Sequence, residues 1–280
     1  MLLRFFCLLS LVLSTVVTLV AGAFESFTWL WMLPLVALGI LLVLLLLAFL
    51  FLLLLASAVD LHKEQEQDSK LYRKTVELYL DAALPVIRWN VKSRGMEKVP
   101  TDGRFLLVCN HVSLADPIVL LRVFTGHQVA FISKRENQTM FLVGKIMHKL
   151  LCQPINREND REALKTIIKC IQIIRDDKAS IGVFPEGYIH EDKKLHHFRS
   201  GVFKIAQKTQ VPIVVCTLKN TRDAMSNLLR HRHTNIEVAV LEVIRPEEFV
   251  DLHTTDIAQR VYEIMAADLG PENVSQEENA

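Results

Sequence analysis

The sequence predicts an α/β domain with a mostly parallel sheet, preceded by two N-terminal transmembrane helices. Two long apolar segments occupy residues 2–23 and 29–59, and the second contains no charged residue. From residue 103 onward, short apolar runs alternate with stretches of helical periodicity. Helices between successive strands allow those strands to run parallel, so this alternation is typical of a sheet covered by helices.

The two apolar segments predict a membrane-spanning hairpin over residues 1–59, because each exceeds the roughly 20 residues that cross a bilayer. Arg4 precedes the first segment and the basic stretch 63–98 follows the second. The positive-inside rule therefore places both ends, and the domain, in the cytoplasm. Ala21-Gly22-Ala23 also permits cleavage as a signal peptide, although the apolar run is longer than usual. The domain remains cytoplasmic in either case.

Residues 60–100 are expected to form a linker and an amphipathic interfacial helix. Leu71, Thr75 and Leu78 share one face of that helix, and Pro85 should end or kink it. Such a helix either lies on the membrane surface or packs on the domain, and the sequence leaves both arrangements open.

Residues 101–269 are predicted to form one folded domain, followed by a disordered acidic tail at 270–280. The predicted strands are 105–109, 128–133, 152–156, 180–184, 213–218 and 236–244. The predicted helices are 117–124, 138–151, 161–176, 201–209, 222–229 and 255–269.

Composition excludes several classes of function. The 280-residue chain has a net charge of +1 and no basic stripe, so we expect no nucleic-acid partner. Its five cysteines are scattered and form no Cys-x-x-Cys pair, which favours reduced core residues over a metal site.

His111 and Asp116 form the first candidate site. Residues five apart point away from each other in a helix, so these two meet only if the chain turns between them. The predicted strand ends at Cys109, and Asp116-Pro117 is typical of an N-cap and first helical position. A carboxylate on one imidazole nitrogen would prepare the other as a general base. No Gly-x-Ser-x-Gly elbow is present, so the expected nucleophile is a hydroxyl of the substrate.

Phe184-Pro185-Glu186-Gly187 follows another predicted strand, at the sheet edge where ligands of parallel α/β folds bind. Glu186 would either accept hydrogen bonds from backbone amides of the turn or orient a substrate hydroxyl. Gly187 would permit close backbone approach or a positive φ.

These motifs resemble those of the glycerolipid acyltransferase family typified by 1-acyl-sn-glycerol-3-phosphate acyltransferases. Asn110, His111 and Asp116 match its Asn-His-x-x-x-x-Asp motif, and Phe-Pro-Glu-Gly matches its third motif. The looser matches are Gly144 with Pro154-Ile155-Asn156-Arg157, the segment Phe198 to Ala206, and Val211-Pro212-Ile213-Val214-Val215.

The resemblance implies an acyltransferase domain that moves a fatty acyl group from acyl-CoA or acyl-carrier protein to a lysophospholipid hydroxyl. The first-choice acceptor is 1-acyl-sn-glycerol 3-phosphate, which gives phosphatidic acid. The implied catalytic residues are His111 and Asp116, and the implied substrate-binding residues are Asn110, Arg157, Glu186, Gly187 and Arg199. The expected partners are membrane lipids and the thioester donor, which is acyl-CoA or acyl-carrier protein, with neither a metal nor another cofactor.

One departure from the family pattern concerns phosphate binding. Family members commonly continue Phe-Pro-Glu-Gly with Ser or Thr and then Arg, whereas this chain has Tyr188-Ile189-His190. Arg157 and Arg199 remain to hold a phosphate. Glycerol 3-phosphate or another lysophospholipid is an alternative acceptor. A lipid hydrolase and a non-catalytic lipid-binding protein are alternatives of other classes.

Overall fold

The computed structural model describes residues 2–275. The chain divides after residue 60 into two compact units. The first unit is a helical hairpin of α1 (Leu2–Val20) and α2 (Trp29–Ser57), joined by a 3₁₀ turn at Ala23–Glu25. Both helices are long and apolar enough to cross a bilayer.

The contact between α1 and α2 involves small side chains. Ser10, Ser14 and Thr18 are the buried residues of α1, and their spacing of four places them on one face. Their hydroxyls donate to carbonyl oxygens of α1 itself, so burial leaves no hydroxyl unsatisfied. Small residues of this kind allow two apolar helices to pack closely.

The second unit is a sheet covered by helices, and its sheet order is β1-β7-β6-β2-β5-β3-β4. All neighbouring strands are parallel except β6 and β7. The strands are β1 (Trp89–Arg94), β2 (Leu106–Cys109), β3 (Val129–Lys134), β4 (Gln153–Ile155), β5 (Ser180–Val183), β6 (Ile213–Lys219) and β7 (Thr234–Ile244). The helices are α3 (Lys70–Val86), α4 (Asp116–Val123), α5 (Phe141–Lys149), α6 (Asp160–Arg175), α7 (Lys204–Thr209), α8 (Ala224–Leu229) and α9 (Thr254–Leu269). The predicted α/β class with a mostly parallel sheet is confirmed.

The direction in which the chain moves across the sheet reverses between β2 and β5. From β2 the chain proceeds to β3 and β4 on one side, and from β5 it proceeds to β6 on the other. Right-handed crossovers in opposite directions place their helices on opposite faces of the sheet. The carboxyl ends of β2 and β5 therefore border a topological switch point, where ligands of open α/β sheets bind.

The core explains why β2 is an uninterrupted apolar run. All four of its residues are fully buried. Leu106 and Val108 contribute to a large apolar cluster that includes Cys170 of α6 and Val261 of α9. The alternate residues of the strand face the opposite side of the sheet, so a strand covered on both sides has no polar face.

The sheet begins before the domain boundary predicted at residue 101. β1 lies within the stretch predicted to be a linker and helix, and it pairs in parallel with β7. Of its six residues only Trp89 is buried, so this edge strand lacks the apolar run by which the other strands were predicted.

The prediction of a disordered tail is wrong for residues 270–275. A 3₁₀ turn covers Pro271–Asn273, and Val274 then forms a parallel bridge with Leu195. The Ser275 N–H donates to the Leu195 carbonyl at 2.9 Å. Residues 276–280 lie outside the described residues.

Helix α3 packs on the domain but also presents apolar side chains to solvent. Tyr72, Arg73 and Thr75 are buried, whereas Leu71 and Leu78 are 56% and 40% exposed. The predicted contact with a membrane surface remains a prediction.

Candidate active site

His111 and Asp116 meet because the chain turns between β2 and α4. His111 Nδ1 lies 2.9 Å from Asp116 Oδ2, which also accepts the N–H groups of Val112 and Ser113 at 2.8 Å each. Asp116 is fully buried. It is not the N-cap of α4, as the sequence suggested, because that position belongs to Ala115. The Asp116 carboxylate turns back to hold the loop and the imidazole together.

The imidazole of His111 stacks on the first ring of an aromatic pair. Its ring lies 4.1 Å from the Phe184 ring at an interplanar angle of 19°, and Phe184 in turn stacks on Phe131 at 5.8 Å. The side chain is 14% exposed. With a carboxylate on Nδ1, the Nδ1–H tautomer is favoured and Nε2 carries the lone pair of a general base.

Most backbone amides of this turn are already engaged. The amides of residues 111, 112, 113, 115 and 116 donate to Glu186, to Asp116 or to Ser113. The amide of Leu114 has no acceptor among the described residues. It is therefore the turn's available N–H donor for a developing oxyanion.

Glu186 binds backbone amides, which decides between the two roles that the sequence left open. Oε1 accepts the His111 N–H at 2.7 Å and Oε2 accepts the His196 N–H at 3.1 Å. The residue is 3% exposed, so its carboxylate ties the two motifs together instead of facing a substrate. Burial raises the pKa of Glu186 to about 8, although its two backbone hydrogen bonds favour the charged form.

Asn110 was predicted to bind substrate, but its side-chain amide forms hydrogen bonds with the backbone of β6. The amide nitrogen donates to the Leu218 carbonyl at 3.0 Å, and the amide oxygen accepts the Leu218 N–H at 2.7 Å. Asn110 is buried. It extends the pairing of β2 with β6 by one residue and so fixes the start of the His111 turn.

Gly187 provides space for Arg199. Its φ is +83°, and an added Cβ would approach Nε and Cδ of Arg199 to 3.1 and 3.2 Å. The Arg199 backbone N–H donates to the Pro185 carbonyl at 2.9 Å. The sequence predicted both possible reasons for a glycine here, a positive φ and a close approach, and the structure contains both.

Arg157 and Arg199 are brought together around Tyr188. Each guanidinium carbon lies 5.1 Å from the centre of the Tyr188 ring. Arg199 Nη2 lies 3.3 Å from the tyrosine hydroxyl, and Arg199 Nη1 donates to the Arg157 carbonyl at 3.3 Å. Burial, together with the positive charge of Arg199, lowers the pKa of Arg157. Neither arginine forms an ion pair with a carboxylate among the described residues.

Sequence reasoning missed the contribution of three side chains. Phe131 and Phe184 support the imidazole, and their signal was only an aromatic residue in β3 and one immediately after β5. Tyr188 was noted as a departure from a pattern, but its contacts with two arginines depend on the folded loop.

The structure contains no group of three or more metal-binding side chains within residues 2–275. All five cysteines are free, and four of them are buried. Burial raises the pKa of Cys152 to about 11, which keeps it a thiol at neutral pH.

Comparison with known proteins gives consistent matches. Residues 90–219 match the family model described as Acyltransferase. A probable 1-acyl-sn-glycerol-3-phosphate acyltransferase of Mycoplasma pneumoniae is 32% identical over 178 residues, which cover 59% of this chain and 66% of the relative. The chloroplastic 1-acyl-sn-glycerol-3-phosphate acyltransferase BAT2 of Brassica napus is 33% identical over 133 residues, which cover 47% of this chain and 38% of that protein. The chain thus spans less than two thirds of the length of either relative.

A solved structure has the same fold. The crystal structure of the 1-acyl-sn-glycerophosphate acyltransferase PlsC from Thermotoga maritima matches with a TM-score of 0.59 and 22% identity, over 83% of this chain and 98% of that one. The resemblance inferred from the motifs is confirmed by the sequence matches: residues 90–219 match the acyltransferase model, and the chain is similar to 1-acyl-sn-glycerol-3-phosphate acyltransferases.

Proposed function

We propose that this chain is an O-acyltransferase that moves a fatty acyl group from a thioester donor to a lysophospholipid hydroxyl. The donor is acyl-CoA or acyl-carrier protein. The acceptor is 1-acyl-sn-glycerol 3-phosphate and the product is phosphatidic acid. The observation that carries the proposal is the buried Asp116 carboxylate on Nδ1 of His111, which leaves Nε2 as a base at the switch point of the sheet.

The reaction needs no covalent enzyme intermediate. His111 Nε2 removes the proton of the acceptor hydroxyl as its oxygen attacks the thioester carbonyl carbon. The tetrahedral intermediate collapses, the carbon–sulfur bond breaks, and the imidazolium returns the proton to the departing thiolate. Asp116 stabilises the imidazolium, and the Leu114 N–H donates to the oxyanion.

The choice of acceptor rests on the two arginines. Arg157 and Arg199 converge on one ring, and neither forms a salt bridge with a carboxylate among the described residues, although Glu136 offsets part of the charge of Arg157. A phosphate monoester carries up to two negative charges and accepts paired N–H donors from guanidinium groups. Acceptors with this headgroup therefore fit better than a zwitterionic lysophospholipid.

The apolar surfaces support action on lipids in a membrane, and the proposed cytoplasmic location of the catalytic domain rests on the positive-inside rule. Helices α1 and α2 are long and apolar enough to anchor the chain. On the second unit, Leu71 and Leu78 are exposed, and Leu114, which lies in the catalytic turn, is 70% exposed. A membrane anchor spares both lipid substrate and lipid product from transfer into water.

The decisive experiment measures acyl transfer by membranes that contain the wild type, His111→Ala or His233→Ala. Labelled oleoyl-CoA and oleoyl-carrier protein are supplied with a panel of lysophospholipids and with glycerol 3-phosphate. His111→Ala should lower transfer by about 10²–10⁴-fold, the usual contribution of a general base. His233 is exposed and outside the site, so its variant should match the wild type.

Three outcomes would contradict the proposal. Transfer that survives in His111→Ala would exclude this residue as the base. Release of free fatty acid from lysophospholipid, without any thioester, would identify a hydrolase. Absence of turnover with every acceptor, in a folded and membrane-inserted wild type, would favour a lipid-binding protein.

A further inference from the structure

Tyr188 occupies the position after Phe-Pro-Glu-Gly and contacts both cationic side chains of the site. Its ring lies 5.1 Å from the guanidinium carbon of Arg157 and 5.1 Å from that of Arg199. The ring face carries negative electrostatic potential and attracts guanidinium groups. It thus offsets part of the repulsion between two like charges, neither of which forms a salt bridge with a carboxylate among the described residues.

The tyrosine hydroxyl adds a second restraint. Arg199 Nη2 lies 3.3 Å from it, while Arg199 Nη1 donates to the backbone carbonyl of Arg157. Arg199 is consequently held from two directions, by the phenol and by the backbone next to the other cation. A serine or threonine at position 188 would provide neither the ring nor the reach of the phenol.

The arginine cluster adjoins the catalytic base through the Phe-Pro-Glu-Gly turn. Phe184 stacks on the His111 ring and Glu186 accepts the His111 N–H. Gly187, the next residue, gives space to the Arg199 side chain. A headgroup bound by the arginines therefore lies against the same four-residue turn that supports the imidazole.

Tyr188 is exposed enough that its contribution to acceptor binding can be measured without a large change in stability. It is 41% exposed, and its contacts are with half-buried or exposed side chains, namely the two arginines and His190. Truncation there leaves no core cavity, so the fold should persist.

We propose that Tyr188 is the specificity-determining residue of the acceptor site: it holds Arg157 and Arg199 as a pair that selects a phosphate monoester headgroup. This inference rests on the proposed acyl transfer for its kinetic test. It acts on binding of the acceptor and leaves proton transfer by His111 unchanged.

The test uses the full chain in detergent micelles, with Tyr188→Ala, Tyr188→Phe and the control Tyr79→Phe, which removes a hydroxyl from α3. Equilibrium dialysis measures the Kd of labelled 1-acyl-sn-glycerol 3-phosphate, with competition by glycerol 3-phosphate, inorganic phosphate and lysophosphatidylcholine. Steady-state transfer to the first lipid and to lysophosphatidylcholine gives KM and kcat.

Tyr188→Ala should raise Kd and KM for the monoester lipid by about tenfold, because two cation–π contacts are lost. It should leave kcat within about twofold, because the base is untouched. Tyr188→Phe keeps the ring and should recover most of the affinity. The values for lysophosphatidylcholine and for Tyr79→Phe should not change.

Unchanged Kd and KM in a folded Tyr188→Ala protein would overturn the inference. An equal loss of affinity for the monoester lipid and for lysophosphatidylcholine would also overturn it. If the wild type binds the monoester lipid in a Tyr188-dependent way but transfers no acyl group, the inference stands and the proposed function fails. If Tyr188→Ala transfers the acyl group with an unchanged KM for the monoester lipid, the proposed function stands and this inference fails. Absence of binding by the wild type would overturn it directly.

Discussion

At the scale of single residues, the geometry of the site depends on which groups donate hydrogen bonds to the carboxylates of Asp116 and Glu186. Asp116 Oδ2 accepts from the imidazole and from two amides of the same turn. It therefore fixes the backbone and the ring with one atom. The sequence predicted that His111 and Asp116 meet, because a turn between the end of a strand and the following helix would bring them together.

Asp116→Asn should lower kcat by about 10²–10⁴-fold. The amide presents an N–H where the imidazole and two backbone amides need an acceptor, so the Nδ1–H tautomer is no longer favoured. Steady-state transfer to 1-acyl-sn-glycerol 3-phosphate measures the loss, and Asp102→Asn, at an exposed position, serves as the matched control. A kcat equal to that of Asp102→Asn would contradict the role assigned to Asp116.

The raised pKa of Glu186 predicts a pH dependence of stability. Folding raises the pKa of this group from 4.5 to about 8, so the folded protein retains a proton that the unfolded chain releases. Its contribution to stability is complete at pH values below about 4.5 and is lost as the pH rises to about 8. Glu186→Gln removes this contribution. The unfolding temperature of purified protein, measured from pH about 5 to about 8, should fall more steeply for wild type than for the variant. Parallel curves would show that burial of Glu186 does not shift its titration.

The role of Asn110 was not predictable from the sequence, which also left two roles open for Glu186. A motif indicates which residues matter, but not whether a side chain faces a ligand or the backbone. Both polar ends of Asn110 bind Leu218, which is 108 residues away in the chain. Only the pairing of β2 with β6 brings these groups together.

At the scale of secondary structure, the start of α3 is joined to the domain through Arg73, which also forms a buried ion pair. Arg73 donates to both carboxylate oxygens of Asp68 at 2.7 and 2.8 Å, and to the Val129 carbonyl at 3.1 Å. The bond to Val129 connects the helix to β3. The pairing with Asp68, just before α3, satisfies two charges that would otherwise be costly to bury.

Arg73→Ala should lower the free energy of unfolding by about 3–5 kcal/mol, because it leaves Asp68 buried without its partner. The neighbouring Lys74 is exposed, and Lys74→Ala should change stability by about 0.5 kcal/mol or less. Denaturant titration in detergent compares the two variants. Equal effects would mean that the ion pair does not anchor α3.

The elements that sequence located well are those with strong periodicity. Helix α6 begins and ends one residue before the predicted bounds of 161 and 176. By contrast, the predicted helix 138–151 divides into a 3₁₀ segment, Arg135–Thr139, and α5. Gly144 of α5 packs against the Gln138 backbone, where a Cβ would lie 2.1 Å from the carbonyl oxygen. The glycine is the one local sequence signal of this close approach between α5 and the 3₁₀ segment.

At the scale of the whole molecule, the parallel sheet was predictable from alternating strands and helices, but the order of its strands was not. β7 returns antiparallel beside β6 and also pairs with β1. The polar β1 is joined to the sheet by pairing with residues about 145 positions later, and no local pattern reveals that partnership.

The proposed membrane topology predicts a labelling pattern. Ser26→Cys lies in the turn between α1 and α2, and Glu66→Cys lies after α2. If both helices cross the membrane with the domain in the cytoplasm, a membrane-impermeant maleimide applied to intact cells should label position 26 alone. Position 66 should react only after the membrane is disrupted. The reverse pattern would place the domain outside, and labelling of both positions from outside would exclude a crossing hairpin.

The bond between the His111 amide and Glu186 closes a loop of 75 residues. During translation, the histidine turn leaves the ribosome well before the carboxylate that completes it. At about 5 to 20 residues per second, this interval lasts several seconds. Throughout it, the four apolar residues of β2 lack β5 and β6, their two neighbours in the finished sheet. The nascent chain is therefore inactive and prone to aggregation during this interval, and activity should appear only after these long-range strand pairings form.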